Sequence, residues 1–547
     1  MNRLVGHATS AATTLRVLGR AGVIRPYGPL KLVGLGLAVY RWGTGPAGGF
    51  ATLAVRSPDR VGLIDELGEL TFGELHRRSN ALARGLQDLG VEEGDSVAVM
   101  CRNHRGFVDA TLAVAKLGAD ILYLNTAFAG PQLVDVLERE KPTVVIHDEE
   151  FAGLLAKAAL GRRVLAWVEN APQARSGDGS ADTLEELISA HDDSEVPVPG
   201  RHARIVILTS GTTGTPKGAP RNEAGIDAAV SMLSRLPLRT GWTTHIAAPL
   251  FHTWGFAHLA LAMLLGSTVV LRRKFDPEGA LRAIEEHRCE SFVVIPVMLQ
   301  RILALDEEIL REHSLDTVRV VAASGSALPG TMATSWMDHF GDNLYNIYGS
   351  TEVAYASIAT PEDLRAQPGS AGKPPYGTVV KIFDEDGHEV EPGEVGRIFV
   401  GNSMLFEGYT GGGSKDMIEG LMSTGDVGRF DPDGRLYVEG RDDEMIVSGG
   451  ENVFPKEVED CLVGHEAVAE AAAIGVDDND YGKRLRAFVS LRGAGSTHAS
   501  EDDLKAHVKA NLAGYKVPRE IVILDELPRN ATGKILKRDL VEWDGEA

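Results

Sequence analysis

From about residue 60 to 440, short β-branched and apolar runs alternate with stretches whose apolar residues recur at helical spacing. Arg204-Ile-Val-Ile-Leu208 reads as a buried strand, whereas Ala224 to Leu236 sets Ile226, Ala229, Val230 and Leu233 on one helical face. Asp276-Pro277 opens a helix predicted to run to about His287, because proline fits a first turn where its missing N–H costs nothing. Strands are predicted over Ser291 to Ile295 and Val318 to Ala322, the second running into a Ser-Gly-Ser loop. Such alternation implies an α/β body with doubly wound parallel sheets, whose sites lie in loops past the strand ends.

The pattern restarts after Gly440-Arg-Asp-Asp443. A helix Pro455 to Val463, strands Ala467 to Val476 and Leu485 to Leu491, a helix opened by Ser500 with Asp503 as capping partner, and a strand Ile521 to Leu524 are predicted there. The division expected is an N-terminal extension over 1–45, a large body over 46–442 and a small α+β domain over 443–547. Pro172 to Asp182 and Gly411-Gly-Gly413 read as connectors, and there is no internal repeat.

Composition changes this picture mainly at the N-terminus. The chain carries 55 Lys and Arg against 77 Asp and Glu, a formal charge of −22. That repels nucleic acid and calls for cations wherever phosphates are handled. Yet no acidic residue precedes Asp59, while Arg3, Arg16, Arg20, Arg25, Lys31 and Arg41 are basic. The apolar run Leu32 to Tyr40 is broken by glycines and falls short of the roughly 20 residues that span a bilayer. Scattered charges do not suit a signal peptide. Residues 1–45 are therefore expected either to pack on the body as a helical extension or to touch an anionic membrane peripherally. Cys101, Cys289 and Cys461 lie far apart, which excludes a disulfide framework or a cysteine zinc site and fits a cytoplasmic protein.

The densest chemistry is Leu208-Thr-Ser-Gly-Thr-Thr-Gly-Thr-Pro-Lys-Gly218, directly after a strand. Glycines let backbone N–H groups approach phosphate oxygens, hydroxyls donate to them and Lys217 neutralises charge. It is not a Walker A loop, because Pro216 stands where that pattern needs glycine. The segment resembles the phosphate-binding signature of the adenylate-forming superfamily, which includes acyl-CoA synthetases, firefly-type luciferases and peptide-synthetase adenylation domains. Further motifs match in order over roughly residues 50 to 540.

The resemblance implies roles residue by residue. Thr209, Ser210, Gly211, Thr212, Thr213, Gly214 and Lys217 would cradle phosphates. Pro249-Leu-Phe-His-Thr-Trp-Gly255 is similar to the acyl-pocket motif, with His252 bordering the carboxylate. Ala323-Ser-Gly-Ser-Ala327 is similar to the adenine loop, with Ser324, Gly325 and Ser326 in it. Tyr345-Asn-Ile-Tyr-Gly-Ser-Thr-Glu352 is similar to the central signature, which brings Asn346, Tyr348 and Gly349 to the nucleotide, Thr351 to the α-phosphate and Glu352 to Mg²⁺. Ser423-Thr-Gly-Asp426 would bind the ribose hydroxyls through Asp426. Gly440-Arg-Asp-Asp443 is similar to the hinge, with Arg441 at the nucleotide and Asp443 as pivot of a mobile C-terminal domain. Ser448, Gly449 and Gly450 would line the thiol side, and Asn530-Ala-Thr-Gly-Lys534 would deliver Lys534 as catalytic lysine. These residue types suit the tasks: Glu352 is a hard oxygen ligand, Asp426 offers two acceptors for a diol, and Lys534 can offset charge as a carboxylate attacks phosphorus. One departure is Arg221, where many relatives place a histidine.

The implied activity is that of an ATP-dependent, AMP-forming acyl-CoA synthetase using ATP, Mg²⁺ and coenzyme A. Gly255, Leu259, Leu261, Ala262, Val297 and Met298 suggest an apolar pocket, so a fatty acid is the first expectation. An aryl or sterol side-chain acid, or a fatty acyl-AMP ligase, is the alternative. No acid follows Trp254-Gly-Phe-Ala-His258 to pair a substrate ammonium. A silent homologue acting as a binding protein is a different class, and intact Lys217, Glu352, Asp426, Arg441 and Lys534 argue against it.

Overall fold

The computed structural model of the 547-residue chain describes residues 2–128, 130–156, 158, 162–169, 182–209, 217–221, 226–350, 352–406, 415–442, 446–448, 451–478, 482–492, 499–530 and 533–543. Two sheets organise the body. The first has eight strands, with Ser291–Val294, Val320–Ala323 and Leu344–Tyr348 side by side and parallel to Thr243–Ile246. Only its two edge pairings are antiparallel. The second has seven strands, parallel except where Ile205–Thr209 meets Lys217–Arg221.

Alternation along each strand decides what each face buries. Val321 and Ala323 join the main core, while Val320 and Ala322 face the cluster that holds Leu233, Leu261 and Leu265. Val97 and Val99 of the second sheet point into the main core, and Ala98 and Met100 point away from it. Helices Phe72–Asp88 and Arg105–Lys116 fill the layer between the sheets. The helix expected from Asp276 runs Pro277–Glu286, with the Asp276 carboxylate accepting the Gly279 N–H.

Two expectations need correction. Residues 379–441 are not strand–helix units but a five-stranded antiparallel sheet built on Leu421–Phe430. Tight turns make this sheet, as between Ile418 and Leu421, where Glu419 at φ 52° and Gly420 at φ 79° form the left-handed pair of a two-residue hairpin. In the second correction, the helix expected from Ala224, which lies outside the described residues, ends at Leu233 and not Leu236, and it buries Ala228, Val230 and Leu233, while Ile226 is exposed.

The C-terminal domain is a four-stranded antiparallel set, to which Glu520–Ile523 adds in parallel. Helix Pro455–Val463 forms where its proline predicts, and Ser500 with Asp503 makes a reciprocal capping box. At the other end stand α1 (Asn2–Ala21), α2 (Pro29–Trp42) and α3 (Pro46–Arg56). α1 buries Val17, Leu18 and Ala21 against Val230, Leu233 and Leu261, and α3 buries Phe50 and Leu53 in the main core. Among the described residues no helix is long and apolar enough to cross a membrane.

Candidate active site

The parallel strands of the first sheet end on one side, and the loops that leave them make the site. Thr243–Ile246 leads to His252, Ser291–Val294 to Val297, Val320–Ala323 to Ser324-Gly-Ser326, and Leu344–Tyr348 to Gly349. These residues, with Asn346, Glu352, Asp426, Arg441 and Lys534, line one cavity of about 2460 Å³. Two glycines shape it. Gly325 sits at φ 99°, and a Cβ on Gly349 would lie 2.2 Å from the Ala354 carbonyl oxygen.

Asp426 is the polar centre. Its carboxylate accepts a 2.5 Å hydrogen bond from the Tyr348 hydroxyl, and Arg441, opposite it across two paired strands, comes to 3.5 Å. Burial pushes this carboxyl upward, opposed by the Tyr348 hydrogen bond and by the charges of Arg441, Lys534 and Lys415. Lys415 was not anticipated. It follows Gly411-Gly-Gly413-Ser, which reads as a linker, yet its Nζ would lie 3.2 Å from a Cβ on Gly425.

Lys534 comes from the small domain. Its N–H donates to Asn530 Oδ1 at 2.9 Å, and Arg529 donates to the Gly533 carbonyl while pairing with Glu470 at 2.6 Å. The loop is thus tied within its own domain as it enters the cavity. Arg529 also escaped sequence reasoning, lying one residue ahead of the lysine motif.

His252 begins helix Thr253–Leu265 without capping it. Its Nε2 is buried with no hydrogen-bond partner, and burial lowers its pKa to about 4, so the ring is neutral. A buried, unpartnered nitrogen at a cavity wall suits an incoming polar group. Beyond it, Phe256, Ala260 and Leu264 line the cavity at helical spacing, and Trp254 is fixed by a 3.0 Å bond from its indole N–H to the Val294 carbonyl. Gly255, Leu261 and Val297 also line it. Leu259 and Ala262, on the other side of that helix, belong to the core instead, as does Met298 of helix Pro296–Leu303.

Thr209 and Lys217 pair directly across the antiparallel hairpin. Ser210, Gly211, Thr212, Thr213, Gly214, Thr351, Asp443, Gly449 and Gly450 lie outside the described residues. Ser448 ends a short strand, paired with Glu451 and Gly482. The residue types present would suit a nucleotide with its metal: the carboxylate of Asp426 for a diol, the cations Arg441, Lys415 and Lys534, and Glu352, which lines the cavity, for Mg²⁺. A buried Cys101–His104–Asp148 cluster is structural, since His104 spends Nε2 on Asp148 at 2.8 Å and Nδ1 on the Gly106 N–H.

This geometry agrees with the comparisons. Residues 50–410 match the AMP-binding enzyme family and residues 457–534 match the AMP-binding enzyme C-terminal domain. A feruloyl-CoA synthase of an Amycolatopsis species is 33% identical over 477 residues, covering 86% of this chain and 93% of that protein. A 2-succinylbenzoate–CoA ligase of Bacillus licheniformis is 33% identical over 491 residues, covering 88% and 97%. An anthranilate CoA ligase solved with anthranoyl-AMP superposes with a TM-score of 0.79 at 27% identity, covering 90% of this chain and 96% of that one. The chain belongs to the AMP-binding enzyme family, the adenylate-forming enzymes. Its activity at this level is AMP-forming ligation of a carboxylic acid to coenzyme A, with ATP and Mg²⁺.

Proposed function

We propose that the acid is a medium- or long-chain fatty acid, with its carboxylate near His252 and its chain along helix Thr253–Leu265. The observation that carries this reading is the size of the cavity, about 2460 Å³, together with the apolar residues in its wall. Its lining includes His252, Phe256, Ala260 and Leu264 and also Gly43, Gly49 and Thr52 at the N-terminal helices. The apolar part of that wall favours burying methylenes, each contributing about 0.8 kcal/mol.

In this reading Asp426 and Arg441 hold the ribose, Tyr348 packs at the base, and Lys217 and Lys534 offset charge on the phosphates and the attacking carboxylate. Glu352 would hold Mg²⁺, which when bound neutralises the departing pyrophosphate. The loop carrying Lys534 then has to withdraw so that the thiol of CoA reaches the same carbonyl, and rotation about Asp443 accomplishes this. Free cysteines, two of them buried, support a cytoplasmic setting.

A second reading, an aryl acid, is favoured by the relatives, whose names include feruloyl, 2-succinylbenzoate and anthranilate. The fixed Trp254 ring would then stack on the substrate. CoA-dependent AMP release, measured over straight-chain acids of rising length and over ferulate and anthranilate, tests the choice. A kcat/KM that climbs with chain length supports the fatty acid. A maximum at an aryl acid overturns it.

A further inference from the structure

Helices α1 and α2 lie outside the family match, which begins at residue 50, and α2 has an unusual surface. It buries Ala38 and Trp42 on one side. On the other, Leu30 is 90% exposed, Val33 69%, Leu37 50% and Tyr40 86%. Their spacing of three, four and three residues puts all four on a single stripe. A contiguous exposed apolar stripe on a helix marks an interaction surface.

Charge names the partner. Seven basic and no acidic residues precede Asp59 in a chain whose formal charge is −22. Arg16, Arg20 and Lys31 are exposed and make no ion pair among the described residues, whereas Arg41 is held by Glu195 at 2.6 Å. An anionic surface would repel the rest of the molecule and attract only this end, which fixes the orientation. A second copy of the chain would bring the same basic residues against their like, so it is disfavoured.

We infer that α2 docks on an anionic lipid surface, laying Leu30, Val33, Leu37 and Tyr40 among the headgroups with Arg16, Arg20 and Lys31 at the phosphates. The far edge of the same helix supplies a reason for docking there. Val39, at the end of α2, and Gly43, Thr44 and Gly45, in the turn to α3, line the cavity. The docked face therefore stands beside the acyl end of the cavity, and an apolar acid dissolved in the bilayer can pass under α2 into it. That delivery step rests on the fatty-acid reading; the docking itself does not.

The test is flotation of the full-length protein with vesicles of phosphatidylcholine alone or mixed with phosphatidylglycerol, at low and high salt. The protein should float only with the anionic vesicles, and less as salt rises. Combined Leu30→Ser, Val33→Ser, Leu37→Ser and Tyr40→Ser should abolish flotation. Combined Arg16→Glu, Arg20→Glu and Lys31→Glu should weaken it on the order of a hundredfold. Both variants should turn over a short soluble acid normally and lose rate on a long acid presented in vesicles. Wild-type protein that ignores anionic vesicles at low salt overturns the proposal. So does a dimer in sedimentation velocity that the serine variant dissociates, which would make the stripe a contact between copies. If flotation behaves as stated but ferulate is the better substrate, the docking stands and the fatty-acid reading falls.

Discussion

Gly533 of the small domain stands so close to Val297 of the body that a Cβ built on it would lie 2.4 Å from Val297 Cγ1. Its φ of 76° is also one that only glycine adopts without cost. Contact and conformation together let the Lys534 loop seat itself in the cavity that Asp426 and Arg441 line. Gly533→Ala carries a penalty of about 1–2 kcal/mol for the backbone alone, before Val297 gives way. Acid-dependent exchange of pyrophosphate into ATP should fall by about tenfold or more. Conversion of supplied acyl-adenylate and CoA, which does not need the docked loop, should hold. Equal loss in both half-reactions would show that this contact serves the enzyme as a whole.

Lys534→Ala tests the same loop from the chemical side. Losing one positioned charge at a reacting phosphate costs about 10²–10³ in rate, by analogy with a lost oxyanion-hole donor. Adenylation should drop by that factor with the protein folded, while thioester formation from supplied adenylate continues. An adenylation rate within a few-fold of wild type would remove Lys534 from the chemistry.

The Tyr348–Asp426 bond gives a prediction with a sign. The hydroxyl stabilises the charged carboxylate and so holds its pKa down against burial, which pushes it up. Tyr348→Phe removes the restraint, and the carboxyl titrates at higher pH. A hydrogen bond to a charged group contributes about 1.5–3 kcal/mol, so KM for ATP should rise tenfold or more. The acidic limb of the kcat/KM profile for ATP should move to higher pH. Unchanged KM and an unmoved limb would mean that Tyr348 does not support Asp426.

How much of this was legible depends on how local each signal is. The Asp276 cap, the Pro455 helix start and the Ser500–Asp503 box are decided within four residues, and they formed as read. The sheet over 379–441 was misread because alternating apolar runs do not reveal their connections. The turn signals were nevertheless present at Asp386-Gly387, Glu419-Gly420 and Asp433-Gly434. Helix Thr253–Leu265 is apolar on all sides, so no periodicity could say that Phe256 and Leu264 meet the cavity while Leu259 and Ala262 belong to the core. Lys415 reaches Asp426 only through tertiary folding of a segment that looks like a linker.

Four histidines predict how the molecule responds to acid. His76, His245 and His252 have pKa values lowered to about 4, and His258 to about 3, burial being the first cause in each. In the unfolded chain they titrate near 6.5. Above that pH both states hold neutral rings, and the histidines impose no pH dependence. As pH falls from 6.5 toward 4, the unfolded chain takes up protons that the folded protein refuses, and stability drops. Each histidine contributes a slope of about 1.4 kcal/mol per pH unit in that window. His258 isolates the effect, since its Nε2 has no partner and its ring packs edge-on to Trp254 at 4.4 Å. His258→Leu should flatten the fall in urea-unfolding free energy between pH 6 and pH 5 by about one proton's worth, and should leave the curve above pH 7 parallel to wild type. A slope identical to wild type below pH 6 would show that His258 is already protonated in the folded protein, and that burial does not hold it neutral.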